Sequence, residues 1–377
     1  MSALSPVRDQ LYHRLSRYAY NDKLLPNFNI KFQDSKQTWT RTGEEEFLLN
    51  DEDTGFNAVV YKNNEDIVIS FRGTEGDQLF GDGFKDIVVD VQFVVAKDKV
   101  NKFGLDIHTA GSKVNVNFQK KNQFIQAENL VNAVKEKYPN ANISLTGHSL
   151  GGALASYAAA VCNVSAVTFN SPSVVGLLSK ELQKEVEKGK FDKQIVNYVN
   201  PRDSISAGAF KEYERHIGST YYIGTLFEYE NAEINPFSRF LESISGKNYH
   251  ALDHYTFDEY GNINNSTITN VVSGETSWKS PRFYSDSIAS IEITPRDLED
   301  ASERLDAYIN RVDDLCQDMK RTANMLDNIK KTEYVVEEVI NASQQFNVWF
   351  SQKTLEIKHN LKTSAIAYVE ADKLHDK

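Results

Sequence analysis

The sequence predicts an α/β unit followed by an all-α helical hairpin, and two features of its texture carry that prediction. All 19 glycines lie at or before Gly274, among short β-branched runs, whereas residues 296–377 contain neither glycine nor proline. In the first region the apolar runs alternate with helix-like stretches, and alternation of that kind favours a mostly parallel sheet covered on both faces. At 377 residues, 40% hydrophobic and 25% charged, the chain can bury one full core and still hold a smaller unit. The boundary is expected between residues 1–285 and residues 286–377.

Taken in order, the strands are expected at 66–70, 143–146, 164–169 and 194–199, all short and rich in β-branched residues. Helical patterns fill Asn122 to Tyr138 and Leu150 to Cys162. In the second region Thr294 and Pro295 supply a cap residue and a first-turn proline, and Asp297, Glu299 and Asp300 suit the positive end of a helix dipole. Leu298, Leu305, Val312, Met319 and Leu326 then recur every seven residues, interleaved with Ala301, Tyr308, Leu315, Thr322 and Ile329. Such a repeat predicts a coiled-coil-like seam. A second helix from about Val335 carries a weaker stripe through Val336, Ile340, Phe350, Ile357, Leu361 and Tyr368, so the pair is expected to form a long hairpin.

Composition narrows the partners. A formal charge of -11 argues against nucleic acid, because phosphate binding needs clustered Lys and Arg. The two cysteines, Cys162 and Cys316, fall in different predicted units, which argues against a disulfide framework. The first ten residues lack the basic and apolar regions of a signal peptide, and no run of ~18 apolar residues occurs. The expected location is therefore the cytoplasm, or the outside of the cell by a route that reads no cleaved signal.

The chemistry concentrates in four segments. Gly147-His148-Ser149-Leu150-Gly151 has the G-x-S-x-G pattern, in which a serine sits on a strained strand-to-helix turn and its glycine neighbours avoid collision. Ser149 is thus the candidate nucleophile. Some 75 residues upstream, Ile69 to Thr74 ends a strand; acyl transfer needs two amide donors aimed at the developing oxyanion, and the N–H groups of Thr74 and Leu150 fit those roles. Asp203 follows the last strand at its carboxyl end, where an acid can orient an imidazole; Asp192 precedes that strand and belongs at the wrong edge. For the base, the segment Tyr249 to Asp258 offers both His250 and His254. Such a set needs neither a metal nor an organic cofactor.

Phe71-Arg-Gly-Thr74 and Thr146-Gly-His-Ser-Leu-Gly-Gly-Ala-Leu-Ala155 together resemble the class 3 lipase family, over about residues 1–275. The resemblance implies an α/β-hydrolase fold and hydrolysis of acylglycerols or phospholipids. It maps Thr74 to the oxyanion hole and matches Asn200-Pro-Arg-Asp203 to the family's acid segment, and His250-Ala-Leu-Asp-His-Tyr-Thr-Phe-Asp258 resembles its H-x-L-x-x-Y-x-F-D pattern, which selects His250. Gly218 to Asn248, with Tyr221, Tyr222, Phe227, Tyr229, Phe237 and Phe240, reads equally as an apolar lid or acyl groove, or as core.

The tail resembles the WXG100 and LXG targeting domains of type VII secretion. That resemblance rests on the Ile293-Thr-Pro-Arg-Asp-Leu298 start, the hairpin, and Tyr368 with Asp372 at i, i+4 spacing as an export motif. The usual domain order is reversed and no W-x-G turn separates the helices. The resemblance implies export without a cleaved signal, an antibacterial toxin acting on membrane phospholipid by phospholipase A-type cleavage, small helical WXG100-like partners on the tail, and an immunity protein on the lipase-like unit.

Overall fold

In this computed structural model the described residues are 7–21, 23–43, 45–73, 102–109, 112–119, 122–203, 205–207, 215–225, 249–277, 280–282, 294–325 and 333–375. The chain divides into two compact units, Met1–Ser285 and Asp286–Lys377.

The first unit opens with helix α1 (Asp9–Tyr18), which buries Leu11, Tyr12 and Leu15 and carries Asp9 in its first turn. Strands β1 (Asn27–Lys31), β2 (Lys36–Arg41), β3 (Asn50–Asp51) and β4 (Phe56–Asn63) follow, then β5 (Asp66–Phe71) and a separate two-stranded pair, β6 (Lys102–Thr109) and β7 (Ser112–Gln119). Next come α2 (Gln123–Lys137), β8 (Asn142–His148), α3 (Leu150–Cys162), β9 (Ser165–Phe169), α4 (Lys180–Glu187), β10 (Ile195–Val199), β11 (Ser219–Gly224), β12 (Thr267–Asn270) and β13 (Thr276–Ser277). Helix α2 begins where the Asn122 side chain accepts a hydrogen bond from the Ile125 amide at 2.7 Å, and α3 stops at a left-handed Asn163.

The large sheet has the order β1-β2-β4-β5-β8-β9-β10-β11-β12-β13, with β3 paired to β4. Its centre, β5-β8-β9-β10-β11, is parallel, and both flanks are antiparallel. The expected parallel α/β sheet is therefore present. Because successive strand residues point to opposite faces, β5 sends Ile67, Ile69 and Phe71 into one core with α2 and α3, and Val68 into another with α1. Five parallel strands bring their carboxyl ends to one edge, where residues 72–73, 149, 170 and 200–203 emerge side by side.

A buried polar cluster closes the unit. Asp9 accepts Arg282 Nη1 at 2.6 Å, Ser280 Oγ at 2.8 Å and Tyr198 OH at 3.1 Å, while Arg282 Nη2 donates to the Val7 carbonyl at 2.9 Å. The charge of Arg282 is thus desolvated but paired, which is what makes its burial tolerable.

The second unit consists of α5 (Pro295–Met325) and α6 (Glu333–His375). They pack antiparallel: Ser343 Oγ donates to the Cys316 carbonyl at 3.3 Å, Asn347 Nδ2 to Asp313 Oδ1 at 2.7 Å, and Lys358 Nζ to Asp306 Oδ1 at 2.6 Å. Its seam corrects the predicted heptad. Leu298, Leu305 and Val312 are half-buried as expected, but the companion row is Ser302, Ile309, Cys316 and Ala323, one residue along from the predicted Ala301, Tyr308, Leu315 and Thr322. Tyr308, Leu315 and Met319 point to solvent. On α6 the covered row runs through Val336, Ile340, Ser343, Asn347, Phe350, Thr354, Lys358, Leu361 and Ala365, leaving the predicted Ile357 and Tyr368 exposed. Small residues at the most buried seam positions let the helices approach closely, with Val336 buried and Ile309, Ile340, Phe350 and Leu361 half-buried beside them, while Tyr308, Leu315 and Met319 lie at the rim. No helix among the described residues is long and apolar enough to cross a membrane.

Candidate active site

Ser149 joins β8 to α3 with φ 57° and ψ -129°, a conformation that costs a non-glycine residue about 1–3 kcal/mol. Its neighbours explain why the turn holds. A Cβ on Gly147 would lie 2.3 Å from the Gly151 carbonyl, and one on Gly151 only 2.2 Å from the Phe71 carbonyl oxygen. Both glycines therefore permit a backbone-to-backbone approach that any side chain forbids. The Ser149 amide donates to the Phe169 carbonyl at 3.1 Å, and its carbonyl accepts the Ala153 amide at 3.1 Å. The side chain is 3% exposed, and its Oγ has no hydrogen-bond partner among the described residues.

Past β10, residues 200–203 form a turn in which the Asp203 amide donates to the Asn200 carbonyl at 3.0 Å. Asp203 is 1% exposed and accepts His250 Nδ1 at 2.9 Å, the Ile205 amide at 3.0 Å and the Ser206 amide at 3.3 Å, together with Ser206 Oγ. Burial pushes its carboxyl upward, but His250 and the donors from Ser206 and Ile205 outweigh this and hold it below the usual carboxylate value. A carboxylate can only accept, so Nδ1 of His250 carries a proton, and Nε2 is the ring atom left to accept one when the ring is neutral. That Nε2 is buried and has no hydrogen-bond partner among the described residues.

His148 flanks this pair. Its ring centroid is 4.7 Å from that of His250, and its Nε2 lies 2.7 Å from the His250 carbonyl. Burial, reinforced by His250, holds its pKa down to about 3, so it is neutral. Nε2 must then carry the proton, and Nδ1 accepts from Tyr20 OH at 3.0 Å. A second histidine, the half-buried His13, is held down to about 4 chiefly by desolvation and donates from Nε2 to the Leu252 carbonyl at 2.8 Å.

The structure thus brings Asp203 and His250 together, with His148 linking His250 to the serine turn. His254 lies in a short 3-10 turn (Leu252–His254), half-buried, its ring 5.8 Å from that of Tyr249. Asp192 forms an ion pair with Arg215 before β10 begins. Leu150 is the first residue of α3, whereas Thr74 lies outside the described residues; Gly73, just before it, abuts the serine, since a Cβ there would sit 3.3 Å from Ser149 Cβ. Of the segment 218–248, residues 219–224 form β11, within the sheet, and 226–248 lie outside the described residues. Tyr368 is exposed on α6, and Asp372 lies on the same helix with its side chain outside the described residues. Among the described residues no cluster of His, Cys, Asp and Glu is able to hold a metal. Tyr20, His13 and Asn170 are site-shaping residues that the sequence did not announce.

A strained serine at a strand-to-helix turn on the carboxyl edge of a parallel sheet, with a buried Asp-His pair on the same edge, defines an α/β-hydrolase architecture. The family model for the Tle-like phospholipase domain, phospholipase-like, matches residues 12–207, just over half of the chain, and the protein belongs to that family. It is 28% identical over 188 residues to ATG15 of Candida glabrata, named as a lipase, a match covering 45% of this chain and 37% of that protein. ATG15 of Eremothecium gossypii, named likewise, is 47% identical over 55 residues, 14% of this chain and 10% of that one. The chain therefore spans little more than a third of the length of the first of these relatives and a tenth of the second. Among solved structures it is similar to Lip2 lipase from Yarrowia lipolytica (TM-score 0.31, 16% identity, 56% of this chain and 76% of that one) and to a Rhizomucor miehei lipase propeptide complex (TM-score 0.29, 17% identity, 56% and 66%).

Proposed function

We propose that this protein is a serine hydrolase of carboxylic esters whose substrate is membrane phospholipid, cleaved in the manner of a phospholipase A. The observation that supports it best is a pair of buried polar atoms, Ser149 Oγ and His250 Nε2, that have no protein hydrogen-bond partner among the described residues while His250 Nδ1 is held by Asp203. Buried polar groups are rarely left unpaired without a functional reason. In the proposed cycle His250 Nε2 takes the Ser149 proton as Oγ attacks the ester carbonyl, and the amides of Leu150 and Thr74 receive the oxyanion. His250 then protonates the leaving alcohol, and water hydrolyses the acyl-enzyme by the reverse route. Asp203 stabilises the imidazolium.

Replacing Ser149 by Ala is expected to lower ester turnover at least ~10³-fold and to abolish labelling by a fluorophosphonate; wild-type-like turnover would sink the assignment. His250→Ala is expected to be as inactive, with His254→Ala nearly normal, and the reverse result would move the base to His254. Release of fatty acid from phosphatidylglycerol vesicles is expected; robust tributyrin turnover without it would leave a general lipase.

The tail is proposed to serve export and partner binding. Its exposed Tyr308, Leu315 and Met319 on α5 and Ile357 and Ile366 on α6 support this reading, because a two-helix hairpin covers only part of its apolar surface and small helical partners complete a bundle. In this reading Tyr368 and Asp372 form the export motif, secretion is of the type VII kind, the protein acts as a toxin on another cell's membrane, and an immunity protein binds the lipase-like unit. Deleting residues 286–377 is expected to preserve hydrolysis and to remove the protein from the native producer's medium. Unchanged export would overturn the targeting role.

A further inference from the structure

Asn170 stands immediately past β9, fully buried, with φ 45°. The left-handed conformation is one that Asn tolerates better than most residues. Its amide donates to the Tyr198 carbonyl of β10 at 2.8 Å, which fixes the backbone against the strand that leads to Asp203. The carboxamide then reaches both ways. Nδ2 donates to the His250 carbonyl at 2.9 Å and to the Tyr249 carbonyl at 3.3 Å, and Oδ1 accepts the Asn200 amide at 2.8 Å. Asn200 in turn accepts the Asp203 amide through its own carbonyl. One side chain therefore holds the backbone of the histidine and the backbone of the acid's turn.

We infer that Asn170 is a positioning residue for the reaction, a two-headed clamp that sets the register between Asp203 and His250, and that His148 completes it from the serine side. The inference rests on the serine-hydrolase reading. The chemistry selects an amide: the atoms to be matched are two carbonyls and one N–H, and only Asn or Gln offers donors and an acceptor on one short side chain. Aspartate would turn an acceptor toward two carbonyls, and glycine would keep the backbone conformation while leaving three buried backbone groups without this partner. The His250 carbonyl also accepts His148 Nε2–H, which fixes the tautomer of that neutral ring and leaves Nδ1 to accept from the Tyr20 hydroxyl. Two neutral donors, one adjoining the nucleophile and one adjoining the acid's turn, thus converge on a single carbonyl of the base. Displacing reacting groups by about 1 Å can cost ~10²-fold in rate, so a clamp of this kind acts mainly on kcat.

The test compares full-length wild type with Asn170→Asp, nearly isosteric, and Asn170→Gly, which suits the positive φ. Measurements are kcat and KM on a soluble p-nitrophenyl ester from pH 5 to 9, fluorophosphonate labelling of Ser149, and the proton resonance of His250 Nδ1–H. Both variants are expected to lose ~10²-fold in kcat with KM within about twofold, to shift the acidic limb of the pH profile, and to move or broaden that resonance. Asn170→Gly that matches wild type in kcat and in the acidic limb, or a loss of activity in both variants with limb and resonance unchanged, would overturn the clamp. A wild type that hydrolyses no ester and is not labelled at Ser149 would instead overturn the hydrolase reading beneath it.

Discussion

The two units handle apolar surface in opposite ways. In the first, the large aromatic and aliphatic side chains sit in two closed clusters on either face of the sheet, with Trp39, Tyr61, Phe71 and Phe169 at most 1% exposed. In the second, the most deeply covered seam positions are Ser302, Cys316, Ala323, Ser343, Thr354 and Ala365, all small, with Val336 the one larger apolar residue buried beside them among the described residues, and the other large apolar side chains are half-buried or exposed. A closed core fixes geometry to a fraction of an ångström, as a site with a strained serine requires. A hairpin with a thin seam and an apolar rim has a contact surface instead of an interior. The difference teaches where substitutions should be felt.

The largest effect is expected at the serine turn. Gly151→Ala places a Cβ against the Phe71 backbone, which no side chain can yield to, so hydrolysis should fall at least ~10²-fold and the urea midpoint should drop; a variant with normal turnover would show that the sheet edge is softer than drawn. Next in size, Leu154→Ala in the fully buried core should cost ~2–5 kcal/mol in chemical denaturation.

Acid pH should weaken the first unit selectively. His13 and His148 ordinarily protonate near 6.5 but do so in the folded protein only near 4 and 3. Between those values and 6.5 the unfolded chain binds more protons, so stability falls as pH falls through that window, with a slope approaching ~2.7 kcal/mol per pH unit for the two together. Urea titrations at pH 7 and pH 4.5 should show the loss, and His13→Gln should flatten it; an unaltered slope would mean that His13 is not held neutral by the fold. The smallest effect belongs to the hairpin rim, where Leu315→Ala should alter stability by no more than ~0.5 kcal/mol. A larger loss would reveal that Leu315 is covered in solution.

What could be read in the sequence followed the range of the interactions. The serine turn, the central parallel strands and α3 were legible because their signals are local, a glycine spacing or a short apolar run. The pair β6–β7 went unread although Phe103, Leu105 and Ile107, and then Val114, Val116 and Phe118, alternate with period two. Asn170, Tyr20 and His13 were invisible for another reason: each acts on a backbone carbonyl or imidazole about 80 to 240 residues away, and no spacing rule encodes that. The hairpin register failed by one residue because Ser302 and Cys316 look unlike seam residues until close packing is considered.

The Asp9–Arg282 cluster has a mechanical meaning. It ties Val7 and Asp9, at the start of the first unit, to Ser280 and Arg282, near its end, so a load applied to the chain beyond Arg282 reaches this ion pair before it reaches any strand. Once the pair parts, the next elements in line are β13 and β12, at the antiparallel edge of the sheet, which can peel one at a time. The parallel strands around Ser149 lie further in. A unit laced in this way should resist tension up to one threshold and then unravel from its last strand inward, with Arg282 acting as the latch.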